Sequence, residues 1–305
     1  MNINSLNFNL PDLIYDQKDN DLVFYKNITN FNNPLYLGKE LNKSTKILNF
    51  KKENNLILNV KEAKANKVIV GSCGCGKSHL SYSLISQHIF NNKSVIYFAG
   101  FEKQGLHILY NQCIKADRKK DIYFFNINDI FLEKKLIKAY KNNGIIFIIS
   151  SYHPINLELN DFDKLVNLIK KIDFKNNDNN YLNNLVVFEE QFNKCDFSSK
   201  NRNILNNLKH LSTINIIQSY CSNNDNFKNF IFSIPFHIVM KQEDPHVINY
   251  NHTTSEKFYR ELRNLDIGHF YIGHLDIAQK LNLSNNKYTH EISPDNYNST
   301  SNIII

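Results

Sequence analysis

The sequence has few of the residues that are typical of arginine-rich, disulfide-bonded or metal-stabilised proteins. Its 305 residues include no Trp, two Met and five Cys. The 36 basic residues are almost all Lys, and the arginines are Arg118, Arg202, Arg260 and Arg263. With Asn, Lys and Ile in such excess, the composition indicates drift, as in an A/T-rich coding sequence, rather than many separate chemical roles.

The cysteines and the apolar runs exclude two further classes of protein. The cysteines form no paired C-x-x-C elements, so neither a disulfide framework nor a zinc site is predicted, and a reducing compartment is favoured; they are Cys73, Cys75, Cys113, Cys195 and Cys221. The longest apolar runs, such as Gly144 to Ile149, are far shorter than the ~20 residues that span a bilayer. A signal peptide has a basic segment followed by an apolar one, and the N-terminal residues lack this pattern. We therefore expect a soluble, intracellular protein without a membrane span.

What is present is the composition of a globular chain with a basic excess. Hydrophobic residues make up 42% and aromatic residues 12% of the sequence, which excludes disorder throughout. The formal charge of +7 permits a polyanionic partner, because lysines that neutralise phosphates release counterions. The basic residues form no block, however, and a solvated surface explains them equally well.

Short apolar runs separated by helical patterns predict an α/β fold with a mostly parallel sheet covered by helices on both faces. The predicted strands are Val68 to Val70, Val95 to Phe98, Ile122 to Phe125, Ile145 to Ile149, Leu185 to Phe188 and Ile214 to Ile217. Two later strands, Phe236 to Met240 and Phe270 to Ile272, are placed at the far edge of the sheet.

Helical stripes lie between these strands. One follows Lys77, and another runs from Phe162 to Ile172 with Asn160 as its cap. A third, capped by Ser198 or Ser199, is predicted to carry Ile204, Leu205, Leu208 and Leu211. We divide the chain into an irregular extension with a few short strands (residues 1–62), one α/β domain (63–280) and a disordered tail (281–305).

The clearest motif in the sequence follows the first predicted strand of the domain. Residues 71–78, GSCGCGKS, fit G-x-x-x-x-G-K-[ST] between a strand and a helix. Glycines let consecutive N–H groups turn towards a β-phosphate, at the positive end of a helix. Lys77 is predicted to reach the β- and γ-phosphate oxygens, and the Ser78 hydroxyl to bind Mg²⁺. The predicted nucleotide contacts are Gly71, Ser72, Cys73, Gly74, Cys75, Gly76, Lys77, Ser78 and His79; Cys73 and Cys75 are interpreted as small loop fillers.

Two later strands end in polar residues. The strand Leu185 to Phe188 leads into Glu189 and Glu190, which predicts a Mg²⁺ ligand in Glu189 and a residue that polarises the attacking water in Glu190. The strand Ile214 to Ile217 ends in Gln218, which would sense the γ-phosphate through a water. A polar residue that simply ends a strand is the plain alternative in each case.

One further motif match is explained by composition. Asn193 to Asp196, NKCD, matches the guanine-reading N-K-x-D of GTPases. In a chain this rich in Asn and Lys such a match arises by chance, no apolar strand immediately precedes it, and D-x-x-G is absent from the sequence. We therefore do not interpret the chain as a GTPase.

The order of these motifs resembles the poxvirus-type DNA-packaging ATPases of large DNA viruses, within the FtsK/HerA superfamily. The resemblance covers residues 63–275, and its specific part is the spacing from Leu185 to Tyr220. It rests on GSCGCGKS, on IIFIISSYHPINLELNDFDKLVNLIKKI leading into NNLVVFEEQFNK, and on NLKHLSTINIIQSY. Lys209-His210 stands where the family has a basic-His pair, and Gln218 where it has the Gln.

This resemblance implies a RecA/FtsK-like P-loop NTPase that uses ATP and Mg²⁺. It also implies a homo-oligomeric ring that moves double-stranded DNA into a capsid, with a capsid or portal-like partner. The expected location is the host cytoplasm, a viral factory or the virion. Such rings complete each nucleotide site with a neighbour's arginine, for which Arg202 is the first candidate, followed by Arg260 and Arg263. Two departures stand out: Glu189-Glu190 replaces Asp-Asp or Asp-Glu, and the segment after the Gln strand contains Lys228 but no Arg.

Other functions compatible with a P-loop remain open at this stage. A small-molecule kinase is disfavoured because such enzymes usually have an arginine-rich lid. A non-catalytic nucleotide-dependent scaffold and a helicase-type ATPase not tied to packaging are compatible with the motifs.

Overall fold

Buried β-branched and aromatic residues are prominent in the strands of one sheet, as the computed structural model shows. The structure describes residues 35–41, 55–99, 103–127, 129–149, 159–174, 182–189, 199–218, 225–243, 256–275, 281–284 and 286–290. The strands are β1 Leu35–Glu40, β2 Asn55–Leu58, β3 Lys67–Val70, β4 Val95–Ala99, β5 Ile122–Asn126, β6 Ile145–Ile149, β7 Asn184–Phe188, β8 Leu211–Ile217, β9 Phe236–Val239, β10 His269–Leu275, β11 Leu281–Leu283 and β12 Tyr288–Thr289.

Helices connect most of the parallel strands. They are α1 Val60–Lys64, α2 Lys77–Phe90, α3 Lys103–Lys115, α4 Leu132–Lys141, α5 Leu159–Phe174, α6 Ser199–Asn206, α7 Asp225–Ile231 and α8 Glu256–Arg263, with a 3₁₀ turn at Lys119–Asp121. Within the described ranges, no helix combines the length and the hydropathy that a membrane span requires.

The strand order is β2-β1-β12-β10-β9-β3-β8-β7-β4-β6-β5, with β11 paired to β10. The run from β9 to β5 is parallel throughout, and the remaining pairs are antiparallel. Because the carboxyl ends of parallel strands meet at one edge of the sheet, the loops after β3, β7 and β8 share that edge.

Helices cover both faces of the sheet, so the predicted α/β architecture is confirmed. On one face, α2 and α3 pack with Ile69, Val187 and Ile216. On the other face, α4 to α8 pack with Phe98 and Phe188. These two rings stack with their centroids 5.1 Å apart.

Four sequence expectations differ from the structure. Helix α5 begins at Leu159, so Asn160, predicted as its cap, lies within the helix. The third predicted helix ends at Asn206, and Leu211 begins β8 instead, because the Asp173 carboxylate accepts the backbone N–H groups of Lys209, His210 and Leu211. β9 and β10 are interior strands, since β12, β1 and β2 extend the sheet beyond them. Residues 281–290, assigned to a disordered tail, contain β11 and β12. The remaining domain boundaries stay a prediction.

A side chain of α2 links the amino-terminal strand to the core. Gln87 is fully buried, and its Oε1 accepts the Tyr36 backbone N–H at 2.8 Å. Its Nε2 donates to the Tyr36 carbonyl oxygen, also at 2.8 Å. Since one amide satisfies both backbone groups of a β1 residue, β1 is attached to the same helix that begins at the phosphate-binding motif.

Candidate functional site

The G-x-x-x-x-G-K-S motif forms a loop between β3 and α2, and its glycines have different roles. Gly74 and Gly76 have φ values of 74° and 104°, which only glycine adopts readily. Gly71 is restricted by space instead: a Cβ on it would lie 2.4 Å from Cys75 Sγ and 2.9 Å from Met240 Cβ. Glycine is therefore favoured at positions 74 and 76 by the backbone conformation and at position 71 by the closeness of neighbouring side chains.

Hydrogen bonds attach this loop to the neighbouring strands. The Gly71 N–H donates to the Ile217 carbonyl at 3.2 Å, and the Ser72 N–H to the Lys241 carbonyl at 2.7 Å. The Ser72 hydroxyl oxygen accepts the Glu243 N–H at 2.9 Å. Ser72 therefore helps to hold the loop in place through both its backbone N–H and its hydroxyl.

The two cysteines of the loop differ in exposure. Cys75 is buried with Sγ 4.0 Å from Met240 Sδ, whereas Cys73 is exposed. Cys75 thus fills space under the loop, as expected for a small loop residue. The contact of Cys73 with nucleotide stays a prediction.

Lys77 lies inside the curl of the loop. Its side chain is 7% exposed, and Nζ donates to the carbonyl oxygens of Gly71, at 2.7 Å, and Ser72, at 3.0 Å. The ammonium group is therefore held at the centre of the loop and at the first turn of α2, where a helix N-terminus adds positive potential. An anion at the mouth of the loop would meet both charges.

The two residues after Lys77 occupy the first turn of α2. Ser78 is half-buried, and its carbonyl accepts the Ser81 hydroxyl at 2.8 Å. His79 is exposed. The Mg²⁺ role of Ser78 and the nucleotide contact of His79 stay predictions.

β8 lies between the loop strand β3 and the acidic strand β7, which brings the predicted residues to one edge. Val70 is in register with Ile217, so Gly71 and Gln218 follow at the same level. Phe188 is in register with Asn215, so Glu189 is level with Ile216, on the α2 face. Gln218 is exposed at this edge.

Glu189 is half-buried and hydrogen-bonded to a tyrosine that the sequence did not single out. The Tyr97 hydroxyl, on β4, donates to Glu189 Oε1. Burial and the charge of Glu189 hold the pKa of Tyr97 well above its ordinary value, so the hydroxyl keeps its proton. Only the register of β4 and β7 brings the pair together, and no sequence motif signals it.

Other predicted residues either fall outside the described residues or lie at the opposite edge of the sheet. Glu190 and the NKCD segment at 193–196 fall outside the described residues, so the role of Glu190 stays a prediction. Lys209 and His210 precede β8 and therefore lie at the opposite, amino edge of the parallel strands. Their backbone N–H groups bond to Asp173.

The four arginines differ in what they contact. Arg118 is 4% exposed and donates to the carbonyls of Ile89, Lys93 and Asn143, with Nε 3.2 Å from Asp121 Oδ2. It is therefore a structural residue. Arg202 is half-buried on α6, whereas Arg260 and Arg263 are exposed on α8. That one of these three arginines completes a neighbour's nucleotide site stays a prediction.

The turn before β10 and the end of β12 lie behind the loop. The Gly268 N–H donates to the Cys75 carbonyl at 3.0 Å, and the His290 N–H donates to the Gly268 carbonyl at 3.2 Å. A Cβ on Gly76 would lie 3.0 Å from His290 Cε1. No sequence pattern predicts this support, because it joins two segments far from the motif.

Within the described ranges, no three His, Cys, Asp or Glu side chains gather as a metal cluster. The sequence matches no family model and no curated protein sequence.

Solved structures with a similar fold are found at low sequence identity. The bacterial conjugative coupling protein TrwB is similar with a TM-score of 0.54 and 9% identity, over 78% of this chain and 88% of that chain. The genome-packaging NTPase B204 of Sulfolobus turreted icosahedral virus 2, in complex with AMPPCP, has a TM-score of 0.47 and 15% identity, over 72% of this chain and 97% of that chain. The P-loop at the end of β3, the strand order and the likeness to TrwB together give this chain the fold of the RecA/FtsK-like P-loop NTPases.

Proposed function

We propose that the chain is an ATP hydrolase. The observation that carries the proposal is the position of Lys77 within a curled glycine loop, at the sheet edge that also holds Glu189 and Gln218. Loop N–H groups bind the β-phosphate, and Lys77 exchanges its carbonyl partners for phosphate oxygens when nucleotide enters.

The residues on the α2 face fit a Mg²⁺ ion. Ser78 offers a hydroxyl oxygen and Glu189 a carboxylate, and Mg²⁺ prefers such oxygen ligands. When bound, the ion neutralises charge that develops on the phosphate oxygens. In this proposal Glu190 polarises the attacking water, and Gln218 senses the γ-phosphate.

We further propose that the hydrolase moves double-stranded DNA, as a homo-oligomeric ring that packages a viral genome into a capsid. The proposal rests on the sequence resemblance from Leu185 to Tyr220 and on the RecA/FtsK-like fold. The formal charge of +7 suits a polyanionic substrate. TrwB, which shares the fold, is a conjugative coupling protein.

ATP turnover with and without double-stranded DNA tests both steps. The wild type is expected to hydrolyse ATP faster when DNA is present, and Lys77→Ala and Glu190→Gln are expected to abolish this turnover. Lys134→Ala, on the exposed surface of α4, is the matched lysine control and should behave as the wild type. Turnover that survives Lys77→Ala contradicts the hydrolase proposal, and turnover indifferent to DNA contradicts the translocase.

A nucleotide-dependent scaffold is the second candidate, favoured by Glu189 in place of the Asp usual in the resembling family and by the lack of an arginine in the segment after the Gln strand. Because Arg118 is used inside the fold, only Arg202, Arg260 and Arg263 remain to complete a neighbour's site. A scaffold would bind ATP with Lys77 but show no DNA-dependent turnover. The same assay, combined with a binding measurement, separates the two.

A further inference from the structure

Tyr97 and Glu189 are brought together by two adjacent parallel strands. Tyr97 on β4 is in register with Val187 on β7, two residues before Glu189. Side chains alternate along a strand, so all three lie on one face, the face covered by α2. The carboxylate of Glu189 therefore emerges beside the helix that carries Lys77 and Ser78.

The tyrosine is a fixed donor. Its side chain is 2% exposed, and its ring packs edge-on against Phe147, with centroids 6.1 Å apart and an interplanar angle of 79°. The hydroxyl donates to Glu189 Oε1. A buried ring cannot follow a moving carboxylate, so the bond restrains the glutamate rather than the tyrosine.

A glutamate at this position needs such a restraint. Glu has one more rotatable bond than Asp, and ordering it costs more side-chain entropy. A hydrogen bond to an ionised carboxylate is stronger than a neutral one, and a carboxylate can accept about four hydrogen bonds. The bond from Tyr97 therefore restrains the side chain and uses one of these acceptor positions.

We propose that Tyr97 is a positioning residue that orients the Glu189 carboxylate towards the metal–phosphate end of the nucleotide. The inference rests on the proposed function and goes beyond it by assigning a role to a residue outside every nucleotide-binding motif. Groups that hydrogen-bond to metal ligands commonly change metal affinity or activity about 10- to 100-fold when removed.

The test substitutes Tyr97→Phe, which keeps the buried ring and removes the hydroxyl. Binding of a fluorescent ATP analogue is measured in EDTA and across a Mg²⁺ titration, together with the melting temperature and ATP turnover. We expect unchanged affinity in EDTA and a Mg²⁺ half-saturation about 10-fold higher. In a Glu189→Gln background, Tyr97→Phe should add little, because the two residues act through one contact.

Tyr271→Phe is the matched control. The Tyr271 hydroxyl, on β10, also donates to a carboxylate, because it lies 3.2 Å from Glu261 Oε2 on α8. Its removal should leave the Mg²⁺ half-saturation unchanged. If Tyr97→Phe does not fold, Tyr97→Met, which keeps an adaptable apolar side chain in the core and also lacks the hydroxyl, should raise the half-saturation in the same way.

The outcomes separate this inference from the proposed function. If Tyr97→Phe binds nucleotide with wild-type affinity and a wild-type Mg²⁺ half-saturation, the role of Tyr97 is overturned and the proposed function is not. The same follows if the effect of Tyr97→Phe adds to that of Glu189→Gln. Wild-type protein that binds Mg²⁺–ATP but does not hydrolyse it overturns the hydrolase, and the Mg²⁺ titration still decides the role of Tyr97. Failure of the wild type to bind nucleotide overturns both.

Discussion

The imidazole Nδ1 of His290 lies 2.8 Å from the carbonyl oxygen of Gly268, directly behind the phosphate-binding loop. A carbonyl can only accept, so Nδ1 carries the proton. The ring is buried, and burial lowers the pKa of His290 to about 4, so the histidine is neutral near pH 7. Because Gly268 in turn bonds to Cys75, the end of β12 supports the conformation of the loop.

Removal of residues 281–305 is therefore expected to weaken nucleotide binding. The truncated chain loses β11, β12 and His290, which lies against Gly76. We expect affinity for ATP to fall at least ~10-fold, equivalent to ~1.4 kcal/mol, because the loop is no longer held in its binding conformation. Binding is measured with a fluorescent analogue, and folding by circular dichroism.

A shorter truncation provides the control. Removal of residues 293–305 keeps both strands and His290, and should leave affinity and melting temperature at wild-type values. A substitution refines the test: Gly268→Ala introduces a Cβ at φ 83°, 3.0 Å from His290 Cε1, and should weaken binding without removing a strand. Equal affinity in the long truncation and the wild type contradicts the support role.

The sheet and the loop were predictable from sequence, whereas their supports were not. Continuous apolar runs such as Ile145 to Ile149, alternating with helical patterns, predicted buried strands, and the order of glycines and Lys77 is specific. β1 and β12 carry no periodic signal, and they are strands because Gln87 and β10 supply partners. The end of α6 is likewise set by a distant carboxylate, Asp173, rather than by local sequence.

Lys67 is expected to make stability depend on pH. Its side chain is fully buried, and Nζ donates to the carbonyls of Ala63 and Ala65 at 2.7 Å. Burial lowers the pKa of Lys67 to about 7, against ~10.4 in the unfolded chain. Between these values the unfolded state binds more protons, so this residue makes the free energy of unfolding rise with pH, by about 2 kcal/mol from pH 7 to 9.

Urea unfolding at pH 7 and pH 9 measures this effect. In Lys67→Met, which keeps the length of the side chain but cannot ionise, the rise attributable to Lys67 should disappear. Lys61→Met is the control, because Lys61 is exposed on α1 and should leave the pH dependence as in the wild type. A pH dependence unchanged by Lys67→Met would show that the buried amine keeps its ordinary pKa.

Alanine substitution of each arginine should separate structure from catalysis. Arg118 donates to three backbone carbonyls, so Arg118→Ala leaves buried acceptors without donors and should lower the free energy of unfolding by about 3 kcal/mol. Arg118→Lys should restore little, since an ammonium lacks the planar fork that spans separate carbonyls. Arg202→Ala, Arg260→Ala and Arg263→Ala should each change stability by under ~1 kcal/mol.

Turnover gives the complementary result. If the hydrolase is completed by a neighbouring copy, one of Arg202, Arg260 and Arg263 is required, and its alanine variant should lose about 10³-fold in DNA-stimulated turnover while still binding ATP. Mixing that variant with Lys77→Ala protein tests supply from a neighbour. The Lys77→Ala subunits keep the arginine and the other subunits keep an intact loop, so mixed rings should regain activity. Full turnover in all three variants would contradict an arginine finger and leave Lys77, Glu189 and Glu190 to act within one chain.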